Sequence, residues 1–352
     1  MKKLAALAAA GLLGAALVIP ASSAVADGPE CDFYNHCYGI VEHHEPAFDA
    51  VGQELWTDCL VLDPPTPGDF ATHEMWIVFP DGDFIEAGYV KGAVAGGMTE
   101  SHFRWFWADW NGSTFTSHYV DSAPILNHIN FSMYRNSGGT WQVYVNGVLR
   151  GTTTSTYGNA NVIMTGGETT EPKVYSHGKA RYLQSRNAAT KAWTWATWDF
   201  IGETPGVYDV THPAYERMEQ ISLQNICDPL PGGPPGTLAA KAPSMSDVKQ
   251  LALDVAKQNG DESPEAVELV ATKRSAAQAH LKAGRVDSDQ DVYLVQVKGA
   301  FVGHAVPRPK GHAAPKGDTL TVTVDAKTGQ VTDWSLGASR NDLAKLGAVK
   351  KL

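Results

Sequence analysis

The sequence is short of positive charge, carries only four cysteines and, beyond its first residues, has no long apolar run. Lys and Arg number 28 against 38 Asp and Glu, a formal charge of −10 over 352 residues. Phosphate backbones are held by concentrated Lys and Arg, so nucleic acid is not an expected partner. A multi-pass membrane protein is excluded because such spans need about 20 apolar residues each. No G-x-S-x-G elbow, Walker loop or dinucleotide fingerprint occurs. No C-x-x-C pair occurs either, and His73-Glu74 is not the start of H-E-x-x-H, because Ile77 stands where the second histidine is required. His43-His44-Glu45 fares no better, since adjacent strand residues point to opposite faces. Neither a metal nor a cofactor is therefore expected.

The first 26 residues read as a Sec signal peptide. Lys2 and Lys3 precede an uncharged apolar run from Leu4 to Ile19, Pro20 breaks it, and Ala24-Val25-Ala26 gives small residues at the cleavage spacing. The mature chain is expected to be exported, with no membrane attachment after cleavage near Ala26. Export makes disulfides the natural state of Cys31, Cys37, Cys59 and Cys227. Of the three possible pairings, the expected one is a local Cys31–Cys37 loop with a long Cys59–Cys227 clasp.

What remains divides in two. Residues 27–243 hold 11 Lys and Arg against 25 Asp and Glu, residues 244–352 hold 15 against 13, and nine of ten tryptophans precede residue 200. Residues 229–243 are rich in Pro and Gly and read as a linker between a 27–228 unit and a 244–352 unit. Before the linker, short aromatic runs of period two end in Gly, Asn or Asp: Glu74–Phe79, Phe84–Val90, His102–Trp107, Ile129–Tyr134, Trp141–Val145, Asn161–Thr165, Ala180–Gln184 and Trp193–Trp198. Asn146-Gly147 marks a two-residue hairpin. The expected class is mainly β, an antiparallel β-sandwich of concanavalin or jelly-roll type, followed by a small α+β domain. In that second unit Ser244–Asp247 predicts a capping box, Ser263-Pro264-Glu265 a second helix, and Val292–Val297, Ala300–Val306, Thr319–Asp325 and Val331–Leu336 strands.

Two glutamates break the apolar pattern. Alternation sets Glu86 on the face of Phe84, Gly88 and Val90, and Glu168 on that of Val162, Met164 and Gly166. An unpaired buried carboxylate costs several kcal/mol or takes up a proton. If both faces line one groove, the pair shares a proton and can activate water while protonating a leaving group. The alternative is that each is neutralised by an arginine such as Arg104, Arg135 or Arg181.

The stretch from about Glu74 to Asp199 resembles the neprosin-type glutamic peptidases. Asp83-Phe84-Ile85-Glu86-Ala87-Gly88-Tyr89 resembles the family's IEAGW segment. Arg104-Trp105-Phe106-Trp107-Ala108-Asp109-Trp110 resembles RLFTYWTxD, Thr165-Gly166-Gly167-Glu168 resembles WGGE, and Ser176-His177-Gly178-Lys179-Ala180-Arg181-Tyr182-Leu183 resembles GFGKASY. The resemblance implies a β-sandwich endopeptidase acting on protein or peptide, with Glu86 and Glu168 catalytic and no metal. Gly88, Trp107, Trp110, Gly166 and Tyr182 become the substrate-binding candidates. Departures are the replacement of GYWP by Asn146-Gly147-Val148-Leu149-Arg150, the lack of an internal cysteine pair, and strands that are expected soon after Cys59, leaving no long activation segment. The C-terminal unit resembles PepSY-like domains in Val292–Val297 and Val324–Val331, which implies an intramolecular restraint; the alternative is a partner surface or a simple spacer.

Two other readings compete. A carbohydrate- or surface-binding sandwich without catalysis would stack sugars on tryptophans. The alternation of Phe103, Trp105 and Trp107, and of Trp193 and Trp195, reads as core, leaving Trp110 and Trp198 as the exposed candidates. A glycoside hydrolase would draw its carboxylates from Asp109, Asp121 or Glu171.

Overall fold

The computed structural model describes residues 31, 36–62, 69–92, 104–122, 129–170, 174–214, 217–222, 242–286, 288–304, 306–338 and 340–352. The signal segment, Cys227 and most of the linker lie outside them. Of the described residues 59% are strand and 10% helix, so the mainly-β expectation holds. In chain order the first part runs β1 (Cys37–Leu62), β2 (Phe70–Val78), β3 (Phe84–Gly92), β4 (Arg104–Trp110), β5 (Thr114–Ser122), β6 (Ile129–Arg135) and β7 (Trp141–Val145). It continues with β8 (Val148–Thr152), β9 (Ala160–Thr169), β10 (Val174–Asn187), β11 (Trp193–Trp195), β12 (Phe200–Glu203), β13 (Tyr208–Ala214) and β14 (Arg217–Ser222). Then follow α1 (Met245–Gln258), β15 (Ala266–Lys273), α2 (Arg274–Leu281), β16 (Arg285–Val286), β17 (Asp291–Val302), β18 (Lys316–Asp325), β19 (Val331–Gly337) and β20 (Lys350–Lys351).

The long first strand organises both layers, and it begins before Cys59, earlier than expected. Its first half pairs with β9 and β12, and its second half with β10 and β6. Register shifts between His44 and Phe48 and again between Phe48 and Ala50 mark the change from one sheet to the other, which is the usual use of a bulge. The front sheet therefore reads β12-β1-β9-β2-β3-β4-β5, and the back sheet β8-β7-β6-β1-β10-β14-β13, with β11 on β10. Between them lies an apolar core that includes Met75, Ile77, Ile85, Ala87, Trp107, Phe131, Trp141 and Leu183. The Asn146-Gly147 hairpin forms as expected, with both residues at positive φ (50° and 74°) and Val145 paired to Val148.

The outer face of the front sheet is apolar too, and the C-terminal elements bury it. Phe70, Trp76, Phe84, Phe106 and Phe115 share one core with Val248 and Ala252 of α1 and with Val295, Leu320 and Trp334 of β17, β18 and β19. The front sheet also continues without a break, β5 pairing with β19, then β18, β17, β15 and β20. The Ser244–Asp247 capping box is present. Ser263-Pro264-Glu265 does not start a helix. It leads into β15, where Val267 and Leu269 alternate inward and pair with β17, so period two wins over the Pro-at-N1 signal. Ala300–Val306 is not a separate strand either, because β17 runs on to Val302 across a bulge and residues beyond leave the sheet. The Cys31–Cys37 disulfide is formed, and Cys59 is disulfide-bonded. Among the described residues no helix is long and apolar enough to cross a membrane.

Candidate active site

Sheet register brings Glu86 and Glu168 to the same outer face. Glu86 on β3 stands opposite Trp76 of β2, and Glu168 on β9 stands opposite Thr72 of β2, so the two lie on either side of one strand and four residues apart along it. Midway between them on that strand is Glu74, opposite Gly88 on one side and Gly166 on the other. All three carboxylates are fully buried. Gly88 makes the arrangement possible, since a Cβ there would lie 2.4 Å from the Glu74 Cβ. Gly166, at φ +145°, instead gives way to β1, whose Gly39 carbonyl oxygen would lie 2.1 Å from an added Cβ.

Three negative groups in one dry patch cannot all be ionised. Burial raises the Glu74 pKa well above its ordinary value, and the Glu168 charge adds to it, with the Thr72 hydroxyl pulling weakly back. Burial likewise raises Glu86, then the charges of Glu74 and Glu168, against the Trp76 indole and the Arg308 guanidinium. None of the four oxygens on Glu74 and Glu86 has a partner at normal hydrogen-bonding geometry. Glu168 differs, for its Oε1 meets His36 Nδ1 and its Oε2 accepts from the Arg308 backbone N–H at 3.0 Å. The patch is thus asymmetric: burial favours the protonated form at Glu74 and Glu86, while Glu168 is the one engaged by hydrogen-bonding partners.

A polypeptide segment roofs this patch. Arg308 is fully buried, its carbonyl accepts from the Tyr38 hydroxyl at 3.2 Å, its Nε donates to the His312 carbonyl at 3.0 Å, and its Nη1 lies 2.9 Å from His36 Nε2. The same His36 nitrogen lies 2.6 Å from the His304 carbonyl, a contact that needs it protonated, whereas the arginine contact needs it bare.

No protein-family model matches the chain, and no curated protein matches it. Among solved structures it is similar to scytalido-glutamic peptidase with a peptide-based transition-state analogue, at 8% identity and a TM-score of 0.35, over 53% of this chain and 98% of that one. It is also similar to SCP-B, a member of the eqolisin family of peptidases, in complex with the tripeptide Ala-Ile-His, at 9% identity and a TM-score of 0.33, over 54% and 98%. A third similar structure is a GlcNAcα1-4Gal-releasing endo-β-galactosidase from Clostridium perfringens, at 9% identity and a TM-score of 0.24, over 87% and 72%.

The remaining sequence candidates separate. Trp110 stands on the glutamate face, opposite Phe84, and packs against the outer core. Trp107 does not join it. It is one residue out of phase, pairs with Ala87, lies in the core between the sheets and stacks on His118 at 4.0 Å. Asp109 also points inward, bonded by the Tyr157 hydroxyl at 2.6 Å, while nothing is described for the side chain of Asp121 or for Glu171. Tyr182 is on the back sheet, exposed and at φ +56°, 6.2 Å from the Trp195 ring. Trp193 and Trp195, expected in the core, are 42% and 54% exposed because β11 is an edge strand outside the sandwich, and Trp198 instead packs on the core. Arg104 bonds the Val331 carbonyl, Arg135 the Tyr157 carbonyl, and Arg181 lies over Trp56. The arginine over the glutamates is Arg308, 140 residues from Glu168. Glu74 was missed although the same alternation rule, with Trp76 and Val78, marks it; His36, Tyr38 and Arg308 carried no local signal.

Proposed function

We propose that the chain is an exported glutamic endopeptidase of the neprosin type, with Glu86 and Glu168 as the water-activating pair. The observation that carries this reading is the placement of the two carboxylates on either side of β2, buried, with Glu74 between them. The shared proton rests on the Glu74 and Glu86 side, since burial raises both. Glu168 takes a proton from water as the water oxygen attacks a peptide carbonyl carbon. Glu86 gives its proton to the substrate, and collapse of the tetrahedral intermediate releases the amine with that proton and the acid. The order of the four motif-like segments supports the same assignment.

The test is cleavage of an unfolded, proline-containing protein across acidic to neutral pH. Because residues 306–312 roof the pair, the Arg308→Ala chain is assayed beside the unsubstituted one. Cleavage lost in Glu86→Gln and Glu168→Gln, with circular dichroism unchanged, establishes the pair. No cleavage by either folded chain ends the peptidase reading.

A second reading attaches to the back sheet. A groove of about 550 Å³ there is lined by Tyr134, Tyr182 and Trp193 with Asn130, Ser132 and Gln184, the mix of ring faces, amides and hydroxyls that suits a sugar. Retention on insoluble polysaccharide, lost in Trp193→Ala, would support it.

A further inference from the structure

We infer that the face carrying Glu86 and Glu168 is a polypeptide-binding groove, and that in this chain its occupant is the chain's own segment 306–312, with Arg308 as the blocking residue. The inference rests on the peptidase reading for its meaning, but not for its geometry. Lys310 lies over the Phe200 ring on β12 at 5.5 Å, Arg308 is tied to β1 and β9, and His312 meets the Phe84 ring on β3 at 5.7 Å. The segment therefore crosses the sheet over the glutamates rather than skirting them. Its hold on Glu168 is through a main-chain N–H, the one donor that nearly every residue of a substrate chain also offers. Its second hold, the Tyr38 hydroxyl on the Arg308 carbonyl, is likewise a main-chain contact, so the groove recognises backbone first.

The side chain does the blocking. The guanidinium sits fully buried, held by the His312 carbonyl and His36, and its charge acts on Glu86. A positive charge at that place favours the ionised form of Glu86 and so works against the proton that the acid must keep. Pro307 and Pro309 flank Arg308, which stiffens the backbone on both sides and removes two N–H donors from the segment. The closed molecule is thus a latent form in which water and substrate are excluded, while the paired β5–β19 edge keeps the blocking unit attached.

The experiment reads access to the carboxylates separately from catalysis. The full chain, Arg308→Ala and Tyr38→Phe are treated with a water-soluble carbodiimide and an amine, and labelling of Glu74, Glu86 and Glu168 is followed by mass spectrometry. Cleavage of an unfolded protein is measured in parallel. Loss of a charge-assisted hold should raise labelling on the order of tenfold in Arg308→Ala, with a smaller rise in Tyr38→Phe. Labelling unchanged in a folded Arg308→Ala chain overturns the inference. Should that chain not fold, Tyr38→Phe decides, because it keeps Arg308 and removes the hydroxyl that makes the 3.2 Å contact with the Arg308 carbonyl. Labelling that rises without cleavage keeps the occupied groove and sinks the peptidase reading; labelling and cleavage rising together support both.

Discussion

His118 Nδ1 stands 2.8 Å from Asp333 Oδ1, across the ladder that joins β5 to β19. Arg274 completes the contact, with Nε 2.8 Å from one carboxylate oxygen and Nη2 2.7 Å from the other, all three groups being buried. This is the polar seam between the sandwich and the C-terminal elements, and it sits inside the Trp107–His118 stack rather than at the surface.

Breaking a buried pair by removing one charge costs about 3–5 kcal/mol, because the other is left unneutralised. Asp333→Asn should lose roughly that much in urea unfolding. Burial alone would raise the Asp333 pKa, but the Arg274 charge and the hydrogen bonds from His118 and Arg274 hold it well below its ordinary value. A depressed carboxylate stabilises the fold fully above its unfolded pKa and loses that stabilisation progressively as pH falls from there through the folded value. The deficit of the Asn variant should therefore be constant from pH 7 to about 5, and shrink only below about 4. A deficit that already fades at pH 6 would contradict this assignment.

Glu74 makes the opposite prediction. Burial and the Glu168 charge raise its pKa well above 4.5, so the unfolded chain ionises at a pH where the folded chain still holds its proton. Stability through this group falls as pH rises past the unfolded value, until the folded group ionises too. Glu74→Gln keeps the shape and removes the penalty. Its melting temperature should exceed that of the parent by more at pH 7 than at pH 4. An equal difference at both values would mean that Glu74 is not protonated in the fold.

The glycines separate into those that carry the site and those that do not. At Gly88 an added Cβ meets the Glu74 Cβ and the His73 carbonyl oxygen, both at 2.4 Å, and neither can move without parting β2 from β3. Gly158 has nothing within 4 Å and no positive φ. Gly88→Ala should cost on the order of 1–3 kcal/mol or more, as overpacking does. Gly158→Ala should be neutral or gain about 0.4–1 kcal/mol from a stiffer unfolded chain. Chemical denaturation of the two variants side by side checks both.

Much of the front sheet was legible, and the reason is physical. Glu86 and Glu168 stood out because period two in short strands bounded by Gly is a local signal, and the register of β2 then placed them as that period requires. The same rule failed at Trp193 and Trp195, since alternation says which residues share a face and not whether anything covers it. The first strand was hidden because it changes sheets half-way, so no single alternation runs through residues 37–62. The roof was illegible for another reason. The contact of Arg308 with His36 joins residues 272 apart, and no local pattern in a Pro-rich segment announces what it will cover.

His36 is next to a covalent anchor, and that gives the last prediction. The Cys31–Cys37 disulfide closes a loop over a separation of six residues, and His36, within it, meets Glu168 and packs its ring edge-on against Phe70 at 5.4 Å. A loop of this length contributes about 2 kcal/mol by restricting the unfolded chain. The bond also holds the first residues of β1 where they pair with β9, Cys37 opposite Thr169 and Tyr38 opposite Glu168. Replacing both cysteines by serine should thus cost about 2 kcal/mol overall. Its structural effect should be local, since the second half of β1 is held between β10 and β6. Amide exchange should rise over residues 37–42 and stay unchanged over 50–57. A uniform rise along the whole strand would show that the disulfide stabilises the sandwich as a unit and does not serve to position His36 against Glu168.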